Sequence, residues 1–248
     1  MLINLKTRCL AVSLFILLAA AATAQPQMRP IEELTTDSAG WTDLMSRVKT
    51  ATNKIEVLPA DQSAAKKALY NTQVTTASML GAVVYKTGGI LVDGGWIRIL
   101  GSGNEKLKRS LPEWNKGKTF TNYGEPPSYV LIADDVVGGF FALNGGGLGP
   151  ETNKVYYLSP DELKWEPLHI GYSEFIDFCM VGDMNLFYDG LRWTGWQKDL
   201  AGVSGSQGFS IYPFAWSKEG KDINKDSRKV VPIEEVYKLE TGFLSKHK

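Results

Sequence analysis

Tyr129-Val-Leu-Ile-Ala-Asp-Asp-Val-Val-Gly-Gly-Phe-Phe-Ala-Leu-Asn144 holds two apolar runs separated by an acidic pair and two glycines. Each run is too short and too continuous for a surface helix, so both suit strands buried against other layers. Upstream, Gly89-Ile-Leu-Val-Asp-Gly-Gly-Trp-Ile-Arg-Ile-Leu100 sets Asp93-Gly94 between β-prone runs, and that dipeptide supplies the positive φ values of a tight hairpin turn. Downstream, Asn144-Gly-Gly-Gly-Leu-Gly-Pro150 reads as another turn before a further strand, Val155-Tyr-Tyr-Leu158. Strands that follow one another without intervening helices favour an antiparallel meander.

Helical patterns flank these strands. Trp41, Leu44, Met45 and Val48 recur at helical spacing behind the capping candidates Asp37 and Ser38. Ile55-Glu-Val-Leu58 is a short strand ended by Pro59, and Asp61 caps a helix through Ala64, Ala68 and Leu69. Ser78 to Tyr85 is helical and is expected to stop at Gly88-Gly89. A short helix is expected near Leu107 to Trp114. Ser173 is expected to cap a helix whose buried stripe is Tyr172, Phe175, Ile176 and Cys179. Beyond Gly182 the chain reads as irregular and aromatic until Pro232 opens a last short helix. The fold class is α+β: a mixed, mostly antiparallel sheet with helices packed on it, forming a single domain over residues 41–248.

Lys plus Arg and Asp plus Glu both number 27, so no long-range field favours nucleic acid or an anionic membrane. In residues 1–24, Lys6 and Arg8 precede an apolar run, and Ala22-Thr23-Ala24 offers small residues for cleavage. That is the order of a secretory signal peptide, and the run is shorter than the roughly 20 residues that span a bilayer. An exported chain, periplasmic or secreted and without a membrane span after cleavage, is the expectation. Cleavage leaves 25 basic and 27 acidic residues, a polar leader over residues 25–40, and Cys179 as the one remaining thiol. With no disulfide to staple it, the fold must draw its stability from the core. Cys179 falls on an apolar stripe and reads as a buried small hydrophobe.

Chemistry is sparse. Only His169 and His247 are available, too few for a histidine metal cluster, and the Gly202–Gly208 stretch lacks the Gly-x-Ser-x-Gly spacing of a nucleophile elbow. The glycine runs lack the Gly-Lys-Ser/Thr ending of a phosphate loop and read as turns. No catalytic residue, metal or cofactor is expected. Asp134 and Asp135 alternate across a strand, so at most one points into a given site unless the strand has turned. They contact a ligand at the strand end or cap the turn. Trp193, Trp196 and Trp216, with Tyr212, are either a stacking surface for sugar rings or part of the core.

Gly88–Ser102, Ile132–Asn144, Val155–Leu158 and Ser173-Glu-Phe-Ile-Asp-Phe178 together resemble the motif order of the SUKH superfamily, the SMI/KNR-type immunity scaffold. The resemblance covers about residues 41–187 and leaves 188–248 as an aromatic-rich extension. The whole chain is also similar to a bacterial family of exported proteins known only as a domain of unknown function. The SUKH resemblance implies a non-catalytic scaffold that binds a protein partner, a toxin or another envelope component. The binding surface would then include the sheet edge around Asp134, Asp135 and Gly138, with nearby aromatics as anchors. The alternative is a carbohydrate-binding or carbohydrate-active envelope protein that uses Trp193, Trp196 and Trp216 as platforms.

Overall fold

A computed structural model describes residues 27–246; the expected signal peptide and His247 lie outside them. Asp93 and Gly94 take φ values of 50° and 74°, the left-handed pair that the Asp-Gly turn requires. They join β2 (Thr87–Val92) to β3 (Ile97–Leu100). With β1 (Ile55–Pro59), β4 (Tyr129–Asp135), β5 (Phe140–Asn144), β6 (Val155–Leu158) and β7 (Trp165–Pro167), these form a seven-stranded sheet whose spatial order is the sequence order. Each neighbouring pair is antiparallel, so the sheet is a pure meander and not a mixed one. β7, with Pro167 at its end, was not visible in the sequence as a strand.

The pleat sends alternate residues to opposite faces, and each face buries aromatics under its own layer. On one face Phe141 lies 4.5 Å from the Tyr157 ring and 5.0 Å from Phe175 of α6 (Tyr172–Val181). On the other, Phe140 meets Tyr237 of α9 (Ile233–Lys246) edge-on at 5.1 Å, and Tyr237 in turn meets Trp114 of α5 (Leu111–Asn115). The early helices α2 (Ala39–Thr50), α3 (Gln62–Thr72) and α4 (Met79–Lys86) pack on one another, and α4 runs straight into β2. Asp61 and Ser78 cap α3 and α4 by accepting the Ala64 and Gly81 amides. Cys179 is fully buried in α6, where burial pushes its thiol pKa up.

Several expectations are corrected. Gly88 and Gly89 do not end a helix; they lie inside β2, where a Cβ on Gly88 would strike the carbonyls of Pro59 and Gly103. Gly171, not Ser173, sits at the N-cap of α6, and its amide donates to Glu174 Oε2 at 2.6 Å. Nor is the described part of the expected leader, residues 27–40, loose. It contains α1 (Ile31–Leu34), Leu34 is completely buried, and the Arg29 amide donates to Gln73 Oε1 at 2.8 Å.

The C-terminal section is ordered and belongs to the same core. α7 (Met184–Phe187) and α8 (Trp196–Leu200) are followed by a two-stranded antiparallel sheet of β8 (Gln207–Tyr212) and β9 (Ser227–Pro232), then α9. The Phe209 amide donates to Val136 O at 2.7 Å, fastening β8 to the turn after β4. Leu34→Ala is expected to lower stability by about 2–5 kcal/mol in urea unfolding, the cost of emptying a closed apolar site; an unchanged midpoint would return residues 27–40 to the status of a leader.

Candidate functional site

β4 is the middle strand, so Asp134 and Asp135 lie at the sheet's centre and not at an edge. Both are completely buried. Asp134 faces Arg98 directly across the β3–β4 ladder and accepts from its Nε at 2.6 Å. Arg109 donates to Asp134 through Nη1 at 2.5 Å and Nη2 at 3.2 Å, and Nη2 also reaches Gly205 O at 2.7 Å. Burial pushes the Arg98 pKa down, while Asp134 opposes that shift.

On the other face Asp135 caps the β4–β5 turn, the bland reading of its short side chain. Oδ1 accepts the Val137 and Gly139 amides at 3.1 and 2.7 Å, and Oδ2 accepts the Tyr157 and Tyr188 hydroxyls at 2.7 and 3.2 Å. Burial raises the Asp135 pKa, and the Tyr157 and Gly139 hydrogen bonds pull against it. Gly138 has φ 102° and packs against α9, where a Cβ would strike Glu240 and Val236. The expected surface around Asp134, Asp135 and Gly138 is therefore interior, and none of the three can touch a partner without opening the fold.

The aromatic residues divide. Trp193 is core: it packs on Trp96 at 5.8 Å and Phe209 at 5.1 Å, its Nε1 donates to Asp199 Oδ2 at 2.7 Å, and Arg228 covers its ring at 4.5 Å. Trp196 is only partly buried and lines a recess of about 420 Å3 with Lys54, Asp93, Gly94, Asn185, Arg192, Gln197, Leu200 and Ala201. Trp216 stands elsewhere, stacked on Phe214 at 4.4 Å, beside a groove of about 550 Å3 that it shares with Leu148, Leu163, Trp165, Phe243 and Leu244. The three tryptophans therefore do not form one platform.

Arg192 builds the first recess. Its guanidinium lies 4.3 Å from the Trp196 ring, 4.8 Å from Trp96 and 5.3 Å from Tyr188, a cation held among aromatic faces. Nη2 donates to Asp93 Oδ2 at 2.7 Å and Nη1 to Asn185 Oδ1 at 2.8 Å. One side chain thus ties the β2–β3 turn, α7 and α8 into three walls. The Asp93 amide donates to Lys54 O at 2.8 Å, which brings the start of β1 to the rim. Sequence reasoning missed Lys54, Arg192 and Gln197, and read Asp93 only as a turn residue. They meet only through the fold, and no spacing links them.

His169 is an exposed loop residue paired with Glu151 at 2.9 Å. Among the described residues no three His, Cys, Asp or Glu side chains are grouped to hold a metal, and no helix is long and apolar enough to cross a membrane.

The profile of the family described as "Protein of unknown function DUF2625" matches residues 31–236. The chain belongs to that family. It is 43% identical over 216 residues to an uncharacterised Haemophilus influenzae protein, covering 87% of this chain and 90% of that one. It is 41% identical over 216 residues to Escherichia coli K12 YbfG, covering 86% and 96%. No solved structure matches the chain. Membership rests on DUF2625, not on the SUKH superfamily. The DUF2625 match contains all the residues of the Trp196 recess, whereas Phe243 and Leu244 of the Trp216 groove lie beyond it.

Glu240 also lies beyond the DUF2625 match. It is 2% exposed, its Oε2 has no hydrogen-bond partner among the described residues, and it borders a void of about 20 Å3, room for one water. Burial first, and the Asp135 charge second, hold its pKa well above the usual carboxylate range. The folded state keeps a proton that the unfolded chain releases near 4.5, so stability falls as pH rises above that value toward the folded pKa. Glu240→Gln is expected to match the parent at pH 4 and exceed it in urea midpoint at pH 8; parallel pH profiles for the two proteins would show Glu240 ionised in the fold.

Proposed function

We propose that this DUF2625 protein is a non-catalytic binding protein that seats a small hydroxyl-bearing ligand of the saccharide class in the Trp196 recess. The observation that carries this reading is the convergence there of one partly exposed indole with uncommitted polar groups on a braced frame. Arg192 takes Asn185 Oδ1 and Asp93 Oδ2; among the described residues no hydrogen bond engages Asn185 Nδ2, Asp93 Oδ1 or the Gln197 amide, and all three residues line a space of ordinary ligand-site size. Planar amides and a carboxylate suit vicinal hydroxyls, and an indole face suits the apolar side of a sugar ring.

Binding is favoured over hydrolysis by the carboxylate count. Among the described residues Asp93 is the one carboxylate lining the recess, and Arg192 already engages it. Glycoside hydrolysis asks for two such groups flanking one bond. Export, as expected from residues 1–24, would bring the recess to envelope or external saccharides.

The test is a glycan array followed by isothermal titration. Saturable binding that weakens at least about tenfold in Trp196→Ala and in Asn185→Ala supports the reading. Binding that survives both substitutions, or an array without a hit, overturns it.

A second reading, immunity-like binding of a protein partner, is favoured by the Trp216 groove. Tyr212, Phe214 and Trp216 form a ladder with ring separations of 6.0 and 4.4 Å, and Tyr212 is 66% exposed. Phe214 and Trp216 are partly buried, and an apolar run of this kind that opens to solvent at Tyr212 suits protein contact. On this reading a toxin or envelope component captured by the protein is lost in Trp216→Ser and retained in Trp196→Ala; the reverse pattern would exclude the groove.

A further inference from the structure

We infer that the Trp196 recess selects hydroxylated rings that carry an acidic group, a carboxylate or a phosphate, and that Lys54 is the residue that receives it. This deepens the saccharide reading and rests on it.

Three charged side chains line the recess: Lys54, Asp93 and Arg192. Two of them cancel. Arg192 Nη2 and Asp93 Oδ2 are 2.7 Å apart, with side chains 8% and 17% exposed. The guanidinium is also sandwiched among Trp96, Tyr188 and Trp196, so it is committed to the frame. Lys54 is left as the net charge. It is exposed, and its ammonium makes no ion pair or hydrogen bond with any described residue.

The backbone that carries Lys54 is fixed on both sides. Its carbonyl accepts from the Asp93 amide at 2.8 Å, while the Thr52 and Asn53 amides donate to Met180 O at 3.1 and 3.0 Å. Asn53 Nδ2 spans the Cys179 and Gly182 carbonyls at 3.0 Å each. A mobile ammonium on an anchored stem at the rim of a polar recess presents a positive charge at low cost in backbone ordering. Donors also outnumber acceptors inside. Lys54 Nζ, Asn185 Nδ2 and Gln197 Nε2 donate, against the oxygens Asp93 Oδ1 and Gln197 Oε1, so the recess is matched to a ligand richer in acceptors than in donors.

The experiment is isothermal titration of the full purified chain with three probes: D-glucose, D-glucuronate and D-glucose 6-phosphate. The acidic sugars are expected to bind at least about tenfold more tightly than glucose. Raising salt should erode that preference and leave glucose unaffected. Lys54→Gln should abolish the preference, bringing the acidic sugars to the affinity of glucose in the same variant, and Lys54→Arg should keep it. Because Lys54 is exposed, neither substitution threatens the fold. Glucose and glucuronate binding equally would overturn acid selectivity while leaving the saccharide reading in place. A preference that survives Lys54→Gln would overturn the assignment of Lys54. No binding of any probe, together with a negative glycan array, would overturn both readings.

Discussion

A carboxylate in the middle of a sheet loses its water on both faces, and the loss is several kcal/mol unless the protein replaces it. β4 carries two such groups in succession, and the pleat places them on opposite sides. Asp134 is answered by two guanidiniums, from the facing strand and from the loop before α5. Asp135 is answered by two amides of its own turn and two tyrosine hydroxyls. The partners are of different kinds and are not interchangeable. A one-residue slip of β4 would aim Asp134 at tyrosines and Asp135 at arginines, so the polar contacts reinforce the register that the apolar pattern selects. The rest of the fold is arranged to supply those partners: Arg109 also holds Gly205, and Tyr188 arrives on the far side of α7.

That second anchor reaches the recess. The Tyr188 hydroxyl donates to Asp135 at 3.2 Å, and the same ring lies 5.3 Å from the Arg192 guanidinium, which holds Asp93 and Asn185. The walls of the recess are thus tied through one tyrosine to the centre of the sheet. A site braced in this way loses little conformational freedom when a ligand enters, which matters most for small polar ligands whose own contacts are weak. Arg192 is therefore read as frame and not as ligand contact, and the charge left over for recognition is the one that no neighbour holds.

The elements set by local chemistry were legible from sequence. The Asp93-Gly94 turn, the cap at Asp61, the two strands on either side of Gly138-Gly139 and the buried Cys179 each follow from a few adjacent residues, and the fold contains them all. What was not legible depended on distance. Leu34 looked like part of a polar leader because its neighbours are charged, yet it fills a closed site. Asp134 looked like surface because aspartate usually is; Arg98 and Arg109, which permit its burial, are remote in sequence. The recess is the extreme case, since residues 54, 93, 185, 192 and 197 come from five separate segments and carry no shared motif. The tryptophans show the same limit: composition reported a cluster, but only coordinates separate Trp193 in the core from Trp196 and Trp216 at two different openings.

Those two openings are separable in both space and sequence. The Trp196 recess sits beside the start of β1 and the β2–β3 turn, while the Trp216 groove sits beside β7 and the loops around β6, at the opposite edge of the meander. They share no lining residue. The family profile ends at residue 236, so it spans the whole recess but stops before Phe243 and Leu244, which close the groove. The rest of the groove lining, from Gly147 to Trp216, lies within the match as the recess does. The two also differ in physical character: one combines a single indole with charged and amide groups, the other opposes aromatic and aliphatic walls. On the proposed readings the first would select by hydrogen-bond geometry and charge, as suits small hydroxylated molecules, and the second would reward buried apolar area, which a protein surface supplies more readily than a sugar.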